Sequence, residues 1–231
     1  MGIPVLILGE SGSGKSTALR NFDPEEIGIF NVASKPLPFR KRLHIVNQAT
    51  YQTIIQKLTH PKLKAYAIDD SQALMAFALF SKAKETGYGK FTDIALDFYN
   101  LLQHVINKTP QDCLVYFLHH TETSDAGKIK AKTVGKMLDN QLTVEGLFSI
   151  VLLCRTDGQR HWFETQSDGF TTAKSPMDMF PREVENDLKA VDTAVRDYWG
   201  FAPLAASTVE AMPENTVNAR TSTPYQEAVN A

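Results

Sequence analysis

The sequence has few cysteines, no long apolar run and no large excess of either charge. Its 231 residues include only two cysteines, Cys113 and Cys154, which lie in separate apolar segments. Without a CxxC pair or a zinc-ligand spacing, both are expected to be buried, reduced thiols of a cytoplasmic protein. No stretch approaches the roughly 18 apolar residues of a membrane-spanning helix, and the first residues lack the basic segment of a signal peptide. The sequence therefore predicts no membrane partner.

The net formal charge of −2 excludes a strongly basic nucleic-acid-binding protein, but it hides an asymmetry. Residues 176–231 carry 4 Lys and Arg against 9 Asp and Glu, whereas residues 1–175 carry 20 against 17. The end of the chain, 202–231, has no apolar periodicity and is typical of a disordered tail, either inert or partner-binding. One folded domain over 1–201 is therefore expected.

Short apolar segments alternate with helical patterns through the expected domain. Runs typical of strands buried in a parallel sheet occur at 4–8, 27–32, 64–68, 113–118 and 149–154. Helical patterns occur at 15–22, 51–58, 71–86, 92–108 and 134–147, and a final helix is predicted from Pro181 to Gly200. Residues 161–165 and 169–173 are predicted to form an antiparallel hairpin. The pattern predicts an α/β fold with a mostly parallel central sheet flanked by helices, ending in a C-terminal antiparallel hairpin and helix.

The motif with the clearest chemistry is a phosphate loop directly after the first strand. It matches the pattern G-x-x-x-x-G-K-S/T in full and consists of Gly9, Glu10, Ser11, Gly12, Ser13, Gly14, Lys15 and Ser16. Its glycines let backbone N–H groups point at phosphate oxygens, and the predicted helix adds the positive end of its dipole. We expect Lys15 to bind the β- and γ-phosphates, Ser16 to bind Mg²⁺ and Thr17 to contact the α-phosphate. The motif predicts an ATP and Mg²⁺ site.

A Mg²⁺ shell also needs a carboxylate, expected at the end of a buried strand beside the first strand. Asp69 and Asp70 follow the strand at 64–68. We assign Asp69 to the Mg²⁺ shell, usually through water. Asp70 either orients the attacking water or caps the helix that begins at Ser71.

Lysines outside the phosphate loop are candidates for contacts with nucleic acid or with a neighbouring subunit. Lys128, Lys130 and Lys132 alternate along the polar loop 121–132, and Lys136 follows; the spacing suits a row of phosphates or a solvated loop. A second basic cluster consists of Lys35, Arg40, Lys41, Arg42 and His44. It contacts DNA or a subunit, or is a solvated loop. Lys174 either reaches a nucleotide held by an adjacent subunit or is a solvated lysine at a strand end.

Together these motifs resemble the RecA-like core ATPases encoded by phages, most closely the single-strand annealing and recombination ATPases of the Sak group. The resemblance covers about residues 1–200. It rests on the phosphate loop and on the segments FNVASKPLPFRK at 30–41, AIDDS at 67–71, FLHHTE at 117–122 and ETQSDGFTTAKSP at 164–176. It implies a RecA-like P-loop NTPase core that binds ATP and single-stranded DNA. It also implies assembly into a homo-oligomeric ring or filament, acting beside a single-stranded-DNA-binding protein in the cytoplasm of a bacterial host.

The resemblance also implies roles for individual positions. In RecA-like ATPases a polar residue at the end of the strand that follows the metal carboxylate senses the γ-phosphate and couples that signal to the next loop. In this chain the corresponding strand is the one predicted at 113–118. His120 fits this role, or His119 and His120 are a surface pair; a zinc site has no further ligand at a suitable spacing. These ATPases carry a glutamate at the end of the second strand to activate water, where this chain has Asn31-Val-Ala-Ser34. Asp70 or Glu10 would replace it, with slow hydrolysis and ATP acting as an assembly switch.

Two other functions are compatible with the sequence. A small-molecule or nucleotide kinase would use the same phosphate loop, but such kinases usually carry an Arg-rich lid. Here the comparable arginines, Arg155 and Arg160, flank a predicted strand turn. A non-hydrolysing nucleotide-binding scaffold is suggested by the missing glutamate. ATPase activity that increases with single-stranded DNA distinguishes the recombination ATPase from both alternatives.

Overall fold

The computed structural model describes residues 1–134 and 143–204 of the chain. Its strands are β1 (Ile3–Gly9), β2 (Ile27–Asn31), β3 (His44–Asn47), β4 (Ala65–Asp69), β5 (Leu114–Thr123), β6 (Ile129–Ala131), β7 (Ile150–Thr156), β8 (His161–Glu164) and β9 (Glu183–Glu185). Its α-helices are α1 (Tyr51–Thr59), α2 (Ser71–Ser81), α3 (Gly89–Lys108) and α4 (Leu188–Trp199). Two short 3-10 helices cover Ser16–Leu19 and Val144–Leu147. The predicted α/β class with a mostly parallel sheet flanked by helices is confirmed.

The strands lie side by side in the order β3-β2-β4-β5-β1-β7-β8-β9. The pairs from β3 to β7 are parallel, and β8 and β9 continue the sheet in antiparallel pairing. In the register of β1 and β5, Gly9 lies opposite His120. The expectation that the strand of Asp69 lies directly beside the first strand was wrong, because β5 lies between β1 and β4. The carboxyl ends of β1, β4 and β5 nevertheless meet at one edge of the sheet.

Buried side chains cover both faces of the sheet, as the unbroken apolar strands predict. Along β1, Leu6 and Leu8 belong to the core under α1, α2 and α3. Val5 and Ile7 belong to the second core, which contains residues of the first 3-10 helix and of α4. The period of two therefore puts successive residues of one apolar strand into opposite cores.

Four predicted helices have boundaries that differ by more than one residue, and one of them, predicted at 92–108, begins at Gly89. After the phosphate loop, only Ser16–Leu19 is helical, as a 3-10 turn, because the backbone N–H groups of Arg20 and Phe22 bond the oxygen three residues back. The helix predicted at 71–86 ends at Ser81. The final helix begins at Leu188 rather than at Pro181, because the Asp187 carboxylate accepts hydrogen bonds from the backbone N–H groups of Lys189 and Ala190.

Strand pairing around the ends of the sheet also differs from the prediction. The hairpin of 161–165 with 169–173 was wrong: β8 pairs with β7 and β9, and residues 169–173 form a loop. Local bonds hold this loop, since Ser167 Oγ donates to the Thr171 oxygen and Asp168 Oδ1 accepts from the Phe170 N–H. The predicted polar loop 121–132 is mostly a second hairpin, in which the end of β5 pairs with β6.

Some predicted features lie outside the described residues. They are Lys136, most of the helix predicted at 134–147, and the tail from residue 205 to 231. Within residues 1–134 and 143–204, no helix is both long and apolar enough to cross a membrane.

Candidate functional site

The phosphate-loop motif forms a tight turn at the carboxyl end of β1. Gly12 and Gly14 have φ angles of 81° and 102°, in the left-handed region that glycine adopts without strain. A Cβ at Gly14 would lie 2.9 Å from Nδ1 of His161, so a larger residue does not fit there. The turn therefore requires glycine at both positions.

The side chain of Lys15 folds back over the loop. Its Nζ donates hydrogen bonds to the carbonyl oxygens of Gly9 and Glu10, both at 2.8 Å. Lys15 is 7% exposed, and this burial lowers the pKa of its ammonium group. Within the described residues its ammonium donates hydrogen bonds to these two carbonyl oxygens alone, so a phosphate anion would bind it strongly.

A hydroxyl and a carboxylate from distant parts of the sequence meet beside Lys15. Ser16 Oγ donates to Asp69 Oδ1 at 2.8 Å, although 53 residues separate them. Asp69 ends β4, and burial raises the pKa of its carboxyl group. Among the described residues, no cluster of three or more His, Cys, Asp or Glu could hold a metal alone. Two protein oxygens fit Mg²⁺, which takes its remaining ligands from phosphates and water; Ser16 and Asp69 would hold it.

Asp70 has an unusual backbone conformation and a well-paired side chain. Its φ of 57° lies in the left-handed region, and its carboxylate makes no capping bond to α2. Oδ2 lies 2.7 Å from Nζ of Lys35, and Oδ1 accepts from Nε2 of His120 at 3.2 Å. The bond from His120 and the Lys35 charge hold the pKa of Asp70 at about 2. An acid this strong is a weak base, so it suits orienting a water molecule better than removing its proton.

One cavity of about 290 Å³ brings most of the predicted site residues together. Those in its lining are Ser11, Gly12, Gly14, Lys15, Ser16, Thr17, Asp69, Asp70 and His120. Glu10 is exposed and does not line this cavity. A larger groove of about 770 Å³ lies between β2, β3 and α1, but it is lined by none of these residues.

Three residues whose role the sequence analysis missed support the phosphate loop from β7, β8 and the residue after β9. The Ser13 carbonyl oxygen accepts from His161 Nδ1 at 2.7 Å and from Cys154 Sγ at 3.0 Å. Asn186 Nδ2 donates in turn to Cys154 Sγ at 3.2 Å. Burial raises the pKa of Cys154 to about 11, so it is a neutral thiol here. No local pattern indicates these contacts, because all three residues lie more than 130 positions after the loop.

His119 connects the site to the β5–β6 hairpin. Its ring is buried, with Nδ1 at 2.9 Å from the Ser71 hydroxyl and Nε2 donating to the Lys132 carbonyl oxygen at 2.8 Å. The Lys132 N–H donates to the carbonyl oxygen of His120 at 2.8 Å. Burial lowers the pKa of His119 to about 4. The base of the hairpin is thus bonded to two consecutive residues at the edge of the site.

The remaining candidate lysines lie in different surroundings. Lys130 on β6 pairs with Glu122 across the hairpin at 2.9 Å, whereas Lys128 and Lys132 are exposed. The backbone of Lys174 pairs with that of Val151, and its side chain does not line the phosphate-loop cavity. The structure therefore brings Lys15 together with the acids and His120, but not with Lys174.

No known protein family matches the sequence, and no curated protein matches it either.

Proposed function

We propose that this chain binds ATP with Mg²⁺ in the phosphate-loop cavity and hydrolyses it slowly. The observation that carries the proposal is the hydrogen bond of Ser16 to Asp69, beside the buried ammonium of Lys15. A phosphate-loop hydroxyl and an acidic strand end are the two protein groups that a nucleotide-bound Mg²⁺ requires. Their meeting from positions 53 residues apart is difficult to explain as chance.

The meeting of β1, β4 and β5 at one edge of the sheet supports assignment to a RecA-like P-loop core. The resemblance to RecA-like ATPases gives a sensor role to the polar residue that follows the apolar part of β5. Here β5 lies between β4 and β1, and its His120 lies opposite Gly9. We therefore assign the γ-phosphate sensor to His120, whose ring already contacts Asp70.

Each residue of the site has a separate role in the proposed reaction. Lys15 would exchange its two carbonyl partners for phosphate oxygens, and the loop N–H groups would bind the same oxygens. Bound Mg²⁺ would supply stabilisation of the negative charge that develops on the phosphates. Asp70, held by Lys35 and His120, would orient the water, and we favour it over Glu10, which does not line the cavity. Because a carboxylate with a pKa of about 2 is a poor general base, we expect slow turnover.

We further propose that the protein acts on single-stranded DNA as a recombination ATPase. The β5–β6 hairpin carries Lys128 and Lys132, and its base is bonded to His119 and His120. Phosphates along a strand would contact these lysines, and Lys136 would extend the row. In a homo-oligomeric ring or filament, Lys174 would act on a nucleotide held by the neighbouring subunit. A single-stranded-DNA-binding protein would be the second partner.

The decisive experiment is an ATPase assay with and without single-stranded DNA, accompanied by a native mass measurement. We expect slow, Mg²⁺-dependent hydrolysis that DNA accelerates, and a mass of several subunits. Lys15→Ala should abolish nucleotide binding, whereas Lys108→Ala, at an exposed position of α3, should leave it unchanged. Retained ATP affinity in Lys15→Ala would refute the phosphate-loop assignment. Phosphoryl transfer in a screen of nucleosides would instead identify a kinase.

One observation favours a second candidate, a scaffold that binds ATP without hydrolysing it. Asn31 ends β2, opposite Asp69, where a RecA-like ATPase carries a glutamate. Its amide donates to the Lys35 carbonyl oxygen at 2.7 Å and to Asn47 Oδ1 at 3.0 Å, so it holds the loop around Lys35. ATP binding with no turnover, even with DNA, would establish this alternative.

A further inference from the structure

A second cavity, of about 480 Å³, adjoins the phosphate loop on the side away from Asp69. It shares Thr17 and His161 with the phosphate-loop cavity, and Arg20, Arg160, Trp162 and Glu185 are among its other lining residues. We propose that this cavity binds the ribose and base of the nucleotide whose phosphates lie in the phosphate loop. The inference rests on the proposed function, because the phosphates determine where the nucleoside begins.

The cavity lies where the nucleoside of a nucleotide bound in the phosphate loop is expected. Lys15 is expected at the β- and γ-phosphates and Thr17 at the α-phosphate, so the chain of phosphates runs along the first 3-10 helix. The second cavity begins at Thr17 and continues to Arg20, where the nucleoside would follow the α-phosphate. Its volume lies within the range of small-molecule sites, roughly 300–1,000 Å³.

Arg20 supplies donors at the entrance to this cavity. Its Nη1 donates to the carbonyl oxygens of Asn186 at 2.6 Å and of Thr17 at 3.2 Å. Within the described parts of the chain, Arg20 forms no ion pair with a carboxylate. A guanidinium has five N–H donors, so others are available to ribose hydroxyls or to the α-phosphate.

Arg160 and Trp162 form a flat surface farther along the cavity. The guanidinium carbon of Arg160 lies 4.6 Å from the centroid of the Trp162 ring, and its Nη2 pairs with Glu183 at 2.9 Å. Planar guanidinium and indole groups are the surfaces on which bases stack. Glu183 and Glu185 also line the cavity and offset the two arginines. A lining of mixed charge suits an uncharged base and ribose better than a second phosphate.

The first test compares ATP with inorganic triphosphate, each with Mg²⁺, by calorimetric titration. If the cavity binds the nucleoside, ATP should bind the wild-type protein about ten-fold more tightly than triphosphate. Arg160→Ala should remove most of this difference and leave the affinity for triphosphate unchanged. Arg182→Ala removes the same charge at an exposed position outside the cavity and should preserve the difference.

The second test uses the fluorescence of Trp162, because the chain has only two tryptophans. In Trp199→Phe, Trp162 is the one remaining indole, and ATP should change its emission while triphosphate should not. Equal affinities for ATP and triphosphate, or an equal loss of both in Arg160→Ala, would overturn the inference while leaving the phosphate-loop assignment intact. If neither ligand binds the wild-type protein, the proposed function fails and this inference fails with it.

Discussion

Two groups of buried charged side chains lie at opposite ends of the same sheet, and they differ in how their polar atoms are paired. At the amino end, Asp192 and Arg196 of α4 form a buried ion pair through Arg196 Nε. Asp192 Oδ2 accepts from the Tyr116 hydroxyl at 2.9 Å. Arg196 also donates to the carbonyl oxygens of Asp112 at 2.9 Å and of Lys64 at 2.8 Å. Protein groups alone pair both charges, as a structural network requires.

At the carboxyl end, the corresponding group is incompletely paired. In the described parts of the chain Lys15 bonds only two carbonyl oxygens, and a cavity of about 290 Å³ lies beside it. The buried hydroxyl of Ser13 has no hydrogen-bond partner within the described residues. Asp69 is buried with one hydroxyl partner in Ser16. The contrast separates charges that are fully paired by protein groups from charges with hydrogen-bonding capacity left over, although both groups are buried.

Arg196→Met is the strongest test of the difference between the buried charges at the two ends of the sheet. This change leaves Asp192 buried without its counter-ion, so we expect the free energy of unfolding to fall by about 3–5 kcal/mol. Urea unfolding measures it, with Arg182→Met as the exposed control. The affinity for ATP should be unchanged in the folded variant. A loss of less than about 1 kcal/mol would mean that the amino-end network contributes little to stability.

The second prediction concerns His119, which is buried beside the site. Its pKa is about 4 in the folded protein, against about 6.5 in the unfolded chain. The unfolded state therefore binds a proton first as the pH falls, and stability should decrease between pH 6.5 and 4 by about 3 kcal/mol. Urea unfolding at several pH values measures the decrease. In His119→Asn the free energy of unfolding should change little between pH 6.5 and 4. A decrease as steep as in the wild-type protein would show that His119 does not cause it.

The residues of the site were predictable to the extent that each one follows an apolar segment predicted to be a strand, although His120 lies within β5 rather than at its end. The apolar strands predict that the carboxyl ends of β1, β4 and β5 meet at one edge, and Lys15, Asp69 and His120 indeed line one cavity. The support from His161 was not predictable, because it depends on the pairing of β1 with β7, which joins distant parts of the chain and so brings the adjoining β8 and its His161 to Ser13. For the same reason β9 was missed, since its three residues become a strand only beside β8.

The third prediction is that Asp69→Asn has opposite effects on stability and activity. The amide keeps an oxygen for the Ser16 hydroxyl and removes a carboxylate whose pKa is raised by burial. We therefore expect the free energy of unfolding to stay constant or to rise by up to about 1 kcal/mol. ATP hydrolysis should fall by about 100-fold, since the metal shell loses its charge. Destabilisation of the size expected for Arg196→Met would place Asp69 among the structural charges instead.

The smallest expected effect concerns the lysines of the β5–β6 hairpin, which also differ in whether a protein carboxylate pairs with them. Lys130 already pairs with Glu122 at 2.9 Å, whereas Lys128 and Lys132 are exposed and have no carboxylate partner within the described residues. A lysine releases counterions from DNA only if its charge is available to phosphate, and each such contact contributes about 0.7 to the slope of log K against log salt for single strands. Lys128→Ala and Lys132→Ala should each reduce the slope by about that amount, and Lys130→Ala by less.

Fluorescence anisotropy of labelled oligonucleotides over a series of salt concentrations measures the three slopes. Unchanged slopes in all three variants would exclude the hairpin from the DNA-binding surface, and an equal reduction in all three would show that the Glu122 pair opens when DNA binds.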